Sequence, residues 1–282
     1  MVVNGKEIAE KLKASLREAI LKSGKINKRQ LRLAVIKVAD DPVTAKYLEV
    51  KRKFAEAVGI DMRIYDVPRD ISTSKLREKI SEVVHIEENS GVIVQLPLPP
   101  DINMQYILDA IVAEKDPDVL SSKSWGKFST GKNKILPPVA GAIKTIFEEN
   151  NIELKGKNIV VVGAGRLVGK PVATWLINEG ATVSVIDENT KSPEEFTIKA
   201  DIIISGVGQP KIIKSEMVKD GVIAIDCGTS ESSPSTSSGQ AVLVGDIDME
   251  ISKKASLFAP VPGGVGPITI AVLFKNLFEL SK

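Results

Sequence analysis

Histidine occurs once in this chain, at His85, and cysteine once, at Cys227. A proton-moving site of the usual kind has almost no material here. The residues whose types and spacing offer chemistry lie elsewhere. In TAKYLEVKRK (44–53), Tyr47 and Lys51 stand four residues apart and share one face of a helix. A lysine in a semi-enclosed place has its pKa lowered and can cycle protons. A Lys and a Tyr on a charged amphipathic helix are equally ordinary solvated residues, and these ten residues alone leave both readings open. His85, in EVVHIEEN near a helix end, reads as structural. Cys227 follows an apolar strand and lacks the histidine partner that makes a thiol a nucleophile. No Cys/His or paired-carboxylate cluster points to a metal, so none is expected.

A second chemistry is written in glycine. In VVVGAGRLVGKP, Gly163, Gly165 and Gly169 fall between an apolar strand and a helix. Glycine lets backbone approach a pyrophosphate, whose charge a helix N-terminus favours. The spacing G-x-G-x-x-x-G is a variant of the dinucleotide fingerprint, and a tight turn with no ligand is the alternative. Asp187 ends the following strand, where an acid can hold an adenosine ribose or can simply make a turn. SGVGQPK (205–211) offers glycines to pass beneath a nicotinamide ribose, or a plain turn. PVPGGVGP (260–267) mixes prolines, which restrain φ, with glycines, which free it. Such a stiff, contorted loop suits a ligand-gripping backbone or a structural corner.

The elements that must carry these groups alternate strand and helix. Ile8, Leu12, Leu16 and Ile20 predict a helix over 5–22. LRLAVIKVA (31–39) predicts a buried parallel strand. The Asp41-Pro42 turn opens the Tyr47/Lys51 helix, and Gly59 closes it. A strand at 60–67, a helix at 74–88, a strand at 91–96 and a short helix at 103–113 follow. Residues 114–137 read as an irregular linker. Beyond them come a helix at 139–150, a strand ending in the 163–165 glycines and a helix at 167–178. Strands follow at 181–186, 201–205 and 222–226. SESSPSTSSG (230–239) is low-complexity and reads as a mobile loop, AVLVGDID as a return to strand, and 268–280 as the last helix. The alternation implies parallel sheets with right-handed crossovers.

The totals agree with an enzyme of this class. The chain has 282 residues, enough for about two domains. Its 38 basic and 36 acidic residues nearly cancel, which excludes the strongly basic footprint of a nucleic-acid binder. No apolar run approaches the roughly 18 residues of a membrane span, and the charged N-terminus has no apolar signal core. A lone cysteine fits a reducing compartment. The expectation is a cytoplasmic enzyme with no nucleic-acid or membrane partner.

Taken together and in order, TAKYLEVKRK, GVIVQLPLP, GRLVGKP, SGVGQPK and PVPGGVGPIT resemble the bifunctional methylenetetrahydrofolate dehydrogenase/methenyltetrahydrofolate cyclohydrolase (FolD) family, from about residue 3 to 280. The resemblance implies an α/β fold of two domains with a cleft between them. Residues 1–137, joined by the C-terminal helix 268–282, would form the folate-binding catalytic domain around a parallel sheet. Residues 138–267 would form a Rossmann-type NAD(P)-binding domain, and homodimers would form through it. Hydride transfer to a nicotinamide would convert 5,10-methylenetetrahydrofolate to the 5,10-methenyl form, and hydrolysis would give 10-formyltetrahydrofolate. By the same resemblance Lys51 is the key catalytic residue, Tyr47 shapes the folate site and Gln95 positions Lys51. Tyr47, Gln95, Leu96, Asp118, Pro262, Gly263 and Gly264 would bind folate, with Asp118 accepting from the pterin N–H groups. Gly163, Ala164, Gly165, Arg166, Val168, Gly169, Asp187, Gly206, Val207, Gly208 and Thr229 would bind the dinucleotide.

Several positions depart from the family pattern. Where D-V-D-G-F-H is common, this chain reads DPDVLS (116–121), keeping Asp118 but replacing the next glycine with Val119. P-C-T-P-x-G becomes LPPVAG (136–141), without the threonine. An Arg-Ser pair that typically reads the 2′-phosphate of NADP is replaced by Ala164-Gly165, and a histidine-serine by Asp187-Glu188. The family coenzyme is NADP. The two acids favour NAD, and Arg166 and Lys191 offer replacement charge. A dehydrogenase with weak cyclohydrolase activity is the nearest rival reading. A dehydrogenase of another small molecule explains only the glycine half, and a non-catalytic folate or nucleotide binder has no need of Lys51.

Overall fold

The computed structural model describes residues 1–27, 30–38, 42–232 and 242–282. By packing, the chain divides into two compact units: residues 10–138 with 270–282, and residues 1–9 with 139–269. Residues 1–9, expected with the first domain, thus pack with the second. The Val3 N–H donates to the Phe258 carbonyl (2.8 Å) and the Gly5 N–H to the Gly263 carbonyl (2.9 Å).

In the 10–138 unit, strands β1 (Arg32–Val38), β2 (Asp61–Val67) and β3 (Gly91–Val94) form a parallel sheet in the order β2-β1-β3. Central β1 is apolar on both faces, and its side chains alternate between two cores. Ala34, Ile36 and Val38 pack with Leu76, Ile80, Val83 and Val84 of α3 (Thr73–His85) and with Ile107 and Leu108 of α4 (Met104–Leu108). Leu33 and Val35 face α1 (Gly5–Asn27), α2 (Pro42–Val58) and α9 (Val265–Leu280) through Leu16, Leu48, Ala55, Val58, Phe274 and Leu277. Phe54 and Phe274 stack with ring centroids 5.2 Å apart. Gly59, at φ +79°, ends α2 in the left-handed conformation glycine permits.

Several elements differ from the sequence expectation. The helices expected at 74–88 and 103–113 are shorter, the second giving way to a 3-10 turn at Ala113–Lys115. The expected linker, 114–137, contains α5 (Ser122–Ser129), and the division between units falls at Pro138/Val139. Ser121 caps α5 by accepting from the Ser124 N–H, while Trp125 and Phe128 meet edge to face, 5.5 Å apart. The strand expected to reach Leu96 stops at Val94. Asp41, half of the expected turn, and Ala39 lie outside the described residues.

The 139–269 unit is a five-stranded parallel sheet. Its strands are β4 (Asn158–Val162), β5 (Thr182–Ile186), β6 (Ile202–Ser205), β7 (Ile223–Asp226) and β10 (Leu257–Ala259), in the order β10-β7-β6-β4-β5. Helices α6 (Pro138–Glu149) and α7 (Gly169–Asn178) contribute Phe147 and Trp175, whose rings lie 6.1 Å apart. Strand β10 and short α8 (Glu194–Thr197) were not expected. Strands β8 (Ser230–Ser232) and β9 (Val242–Val244) form an antiparallel pair, so Ser230–Ser232 is strand rather than loop; the rest of the expected mobile loop, from 233, is outside the described residues. The last helix begins at Val265, three residues early, with Pro267 in its first turn, where a missing N–H costs little. Because β4 is flanked by β5 on one side and β6 on the other, the strand order reverses there. In open α/β sheets ligands bind beyond the carboxyl ends of the strands at such a switch point.

Candidate functional site

Lys51 owes its setting to helical spacing. Leu48, Ala55 and Val58 form the buried stripe of α2, and Lys51 falls on that stripe between them. Burial therefore lowers its pKa, opposed only by the charge of Asp118. Its Nζ donates to Gln95 Oε1 at 2.9 Å. Gln95 follows β3 and extends the pairing, its N–H donating to the Ile36 carbonyl at 2.9 Å. Its Nε2 donates to the Leu96 carbonyl at 2.9 Å, which turns Oε1 toward the lysine. Leu96 is half-buried and joined to Pro97 by a cis peptide. Tyr47, one turn before Lys51, is 42% exposed and leaves its ring available to a ligand.

Asp118 stands on an anchored turn. The Asp116 carboxylate, itself buried, accepts from the Leu120 N–H (3.3 Å) and the Ser121 N–H (2.9 Å). Asn276 of α9 donates to the carbonyls of Pro117 (2.9 Å) and Leu136 (2.8 Å). Val119 is fully buried at φ +58°, a left-handed conformation that a β-branched residue rarely adopts. Glycine takes it freely. Burial raises the Asp118 pKa to about 6, with the Lys51 charge pulling it down and Asp116 pushing it up. Among the described residues Asp118 accepts no hydrogen bond, so its acceptor capacity is unspent.

In the 139–269 unit the glycine turn follows β4 directly. A Cβ on Gly169 would lie 1.9 Å from the Gly163 carbonyl oxygen, so the turn into α7 closes only with glycine there. Gly163 has φ +99°. Ala164, Gly165 and Arg166 are exposed beside the α7 N-terminus, and Val168 is half-buried. The second loop, after β6, is laid against the first. The Gly206 N–H donates to the Val162 carbonyl (3.0 Å), and a Cβ on Gly206 would lie 2.3 Å from Val168 Cγ1. Val207 covers Gly163, where a Cβ would come within 2.6 Å of Val207 Cγ1. Gly208 has φ +73°, and its carbonyl accepts from Ser230 Oγ at 2.6 Å. Thr229 is exposed nearby in sequence, just before β8. The Asp187 carboxylate accepts from the Asn189 N–H at 2.9 Å and is exposed, which makes it a turn residue with a free face. This arrangement fits a dinucleotide: two glycine loops at a switch point, with Ala164, Gly165 and Gly208 exposed and a helix N-terminus beside them.

The loop before α9 is equally constrained. Val261–Pro262 is cis, Gly263 has φ +101°, and the Gly264 N–H donates to the Pro260 carbonyl at 2.8 Å. Gly5 packs so closely that its Cβ would lie 1.7 Å from the Gly264 oxygen. His85 is exposed, with Nδ1 2.7 Å from the Ser81 carbonyl. Burial and the carboxylates of Asp226 and Asp246 raise the Cys227 pKa far above the ordinary thiol range. Among the described residues no cluster of His, Cys, Asp and Glu could hold a metal, and no helix is long and apolar enough to cross a membrane. Sequence reasoning missed Asp116, Asp226 and Asp246, which stand singly at turns and strand ends with no spacing to mark them.

Fold and site define a two-unit α/β enzyme with a Rossmann-type dinucleotide half. Residues 3–118 match the family described as "Tetrahydrofolate dehydrogenase/cyclohydrolase, catalytic domain", and residues 137–282 its "NAD(P)-binding domain". The chain is 40% identical to the bifunctional protein FolD of Nautilia profundicola, over 100% of this chain and 97% of the relative. The FolD crystal structure from Campylobacter jejuni superposes with a TM-score of 0.91 at 37% identity, covering 100% and 98% of the two chains. That of Trypanosoma brucei, in complex with NADP and an inhibitor, does so with a TM-score of 0.94 at 32% identity, covering 100% and 97%. The chain belongs to the bifunctional tetrahydrofolate dehydrogenase/cyclohydrolase family.

Proposed function

We propose that the chain carries out both reactions of its family: NAD(P)-dependent oxidation of 5,10-methylenetetrahydrofolate to the 5,10-methenyl form, then hydrolysis to 10-formyltetrahydrofolate. One observation carries the proposal. A half-buried lysine of lowered pKa, aimed by Gln95, shares its surroundings with a carboxylate that has unspent acceptor capacity.

Lys51 takes a proton from the water that attacks the methenyl carbon and returns it to the folate nitrogen released when the bridge opens, and the remaining hydroxyl proton leaves to solvent as the formyl carbonyl forms. Gln95 is the positioning residue for Nζ. Asp118 accepts the N–H groups of the pterin, a pairing that suits a carboxylate. Tyr47 and Leu96 supply aromatic and apolar surface for the ring. Pro262, Gly263 and Gly264 are proposed as backbone that grips folate, on the rigidity of their loop. Gly163, Ala164, Gly165, Val168 and Gly169 hold the pyrophosphate against α7. Gly206, Val207, Gly208 and Thr229 hold the nicotinamide side, and Asp187 and Arg166 read the adenosine ribose. The dinucleotide, when bound, accepts the hydride. The test is the appearance of methenyltetrahydrofolate absorbance with methylenetetrahydrofolate and each coenzyme, followed by its decay without coenzyme. Oxidation without decay would leave the dehydrogenase alone.

The chain is further proposed to form homodimers through the 139–269 unit. Strand β5 is a sheet edge with exposed Val185, and the same unit also exposes Ile177, Phe196 and Ile198. Light scattering on the wild type and on Val185→Lys tests this. A single, free cysteine supports a cytoplasmic location.

A further inference from the structure

Two buried carboxylates lie outside every role assigned so far. Asp226 ends β7 and is 1% exposed; Asp246 follows β9 and is 0% exposed. Neither forms an ion pair with a described residue. Their charges are carried by hydrogen bonds from neutral donors. Asp226 Oδ1 accepts from the N–H groups of Gly228 (3.0 Å) and Asp246 (3.1 Å), and Oδ2 from that of Ile247 (2.9 Å). Asp246 in turn accepts at Oδ2 from Ser205 Oγ (2.8 Å) and the Val207 N–H (2.7 Å), and at Oδ1 from the Gln209 N–H (2.9 Å).

The two acids interlock. A Cβ on Gly245, the residue before Asp246, would lie 2.0 Å from Asp226 Oδ2. A Cβ on Gly228, two residues after Asp226, would lie 1.9 Å from Asp246 Oδ1. Each carboxylate therefore occupies the side-chain space that a glycine beside the other leaves open. Asp226 fixes the backbone of Asp246, and Asp246 fixes three donors within the five residues 205–209.

That span is the second glycine loop, whose Val207 covers Gly163 and whose Gly206 rests on Val168. We infer that Asp246 is a positioning residue for dinucleotide binding: it sets the 205–209 loop against the glycine turn, with Asp226 holding Asp246 in register. The inference rests on the reading that this loop carries the dinucleotide.

Asparagine at 246 keeps the shape but must point an N–H at one of the three donors. A hydrogen bond to a charged group is lost, so the KM for dinucleotide rises about tenfold or more. Ser205→Ala, which removes one donor and keeps the carboxylate, gives a smaller rise in the same parameter. Hydrolysis of methenyltetrahydrofolate, which needs no dinucleotide, stays within about twofold of wild type in both variants. The experiment measures coenzyme KM, kcat, hydrolysis and melting temperature for wild type, Asp246→Asn and Ser205→Ala. NMR of wild-type Val207 and Gly208 amides on titration with NADP and with NAD accompanies it. A selective rise in coenzyme KM, graded between the variants, supports the inference. If the amides respond to dinucleotide but KM is unchanged in both variants, the loop reading stands and the role of Asp246 is wrong. If hydrolysis and oxidation fall together with the melting temperature, Asp246 is only structural. If the wild-type amides do not respond, the dinucleotide reading of the loop itself fails.

Discussion

Asp118 and Asp226 both have pKa values raised to about 6, and burial is the first cause in each case. What surrounds them differs. Asp226 is held by three backbone N–H groups that favour its charge, against the repulsion of Asp246. Asp118 has Lys51 to favour its charge and Asp116 to oppose it. One carboxylate has spent its acceptor capacity on the protein and fixes backbone. The other has kept it and stands beside a lysine whose own pKa is lowered. Similar proton affinities thus arise in two different settings, and only the hydrogen bonding tells them apart.

The sharpest way to break this contrast is Lys51→Ala. If the lysine is the acid and base of hydrolysis, the rate falls by about a hundredfold or more, the range of general acid–base catalysis. Dinucleotide affinity and melting temperature stay near wild type. Near-normal hydrolysis would reduce Lys51 to packing.

Asp118→Ala comes next. Leaving pterin N–H groups without their acceptor costs about 1–3 kcal/mol, so folate KM rises about five- to hundredfold while coenzyme KM does not. Equal effects on both ligands would make Asp118 a holder of its turn, like Asp226.

The same carboxylate gives a pH prediction. Below about 6, Asp118 in the free enzyme takes up a proton and loses its charge. Folate KM therefore rises as pH falls through that value, and Asp118→Asn removes the dependence. A KM profile that is flat in the wild type from about pH 7.5 to about pH 5, a range that brackets the raised value, would place the raised pKa on a group the folate does not touch.

The smallest effects belong to coenzyme choice. If the adenosine ribose lies at the end of β5 as proposed, Asp187 and Glu188 would repel a 2′-phosphate by about 1 kcal/mol each after screening, and Arg166 would offset part of it. Arg166→Ala lowers kcat/KM for NADP about fivefold relative to NAD, and Asp187→Ser shifts the ratio toward NADP by a similar factor. An unchanged ratio in Arg166→Ala would move the adenosine pocket elsewhere.

Much of this was legible in the sequence. The buried strands announced themselves as apolar runs, and the glycine turn between β4 and α7 as a strand–glycine–helix junction. Helical spacing from Tyr47 singled out Lys51, while the roles expected of Lys51, Gln95 and Asp118 came from the resemblance rather than from any local pattern. The rest depended on distant contacts. Helix α5 reads as polar and glycine-bearing, and its Ser121 cap and Trp125–Phe128 contact appear only after folding. Strand β10 has three residues, too few for periodicity, and exists by pairing with β7. Nothing in the letters marks Val119 as left-handed or joins Asp226 to Asp246 across 20 residues.

The way the chain is shared between its two units bears on its synthesis. The 139–269 unit is incomplete without Val3 and Gly5 at one end and Phe258 and Gly263 at the other. The 10–138 unit lacks Phe274 and Leu277 of its core, and the Asn276 clasp on Pro117, until residues 270–282 have been added. Domains generally fold as units and N-terminal ones first as the ribosome works. Here that order is blocked: both units wait for residues between 258 and 282, and until those are made the nascent chain carries two unfinished apolar cores.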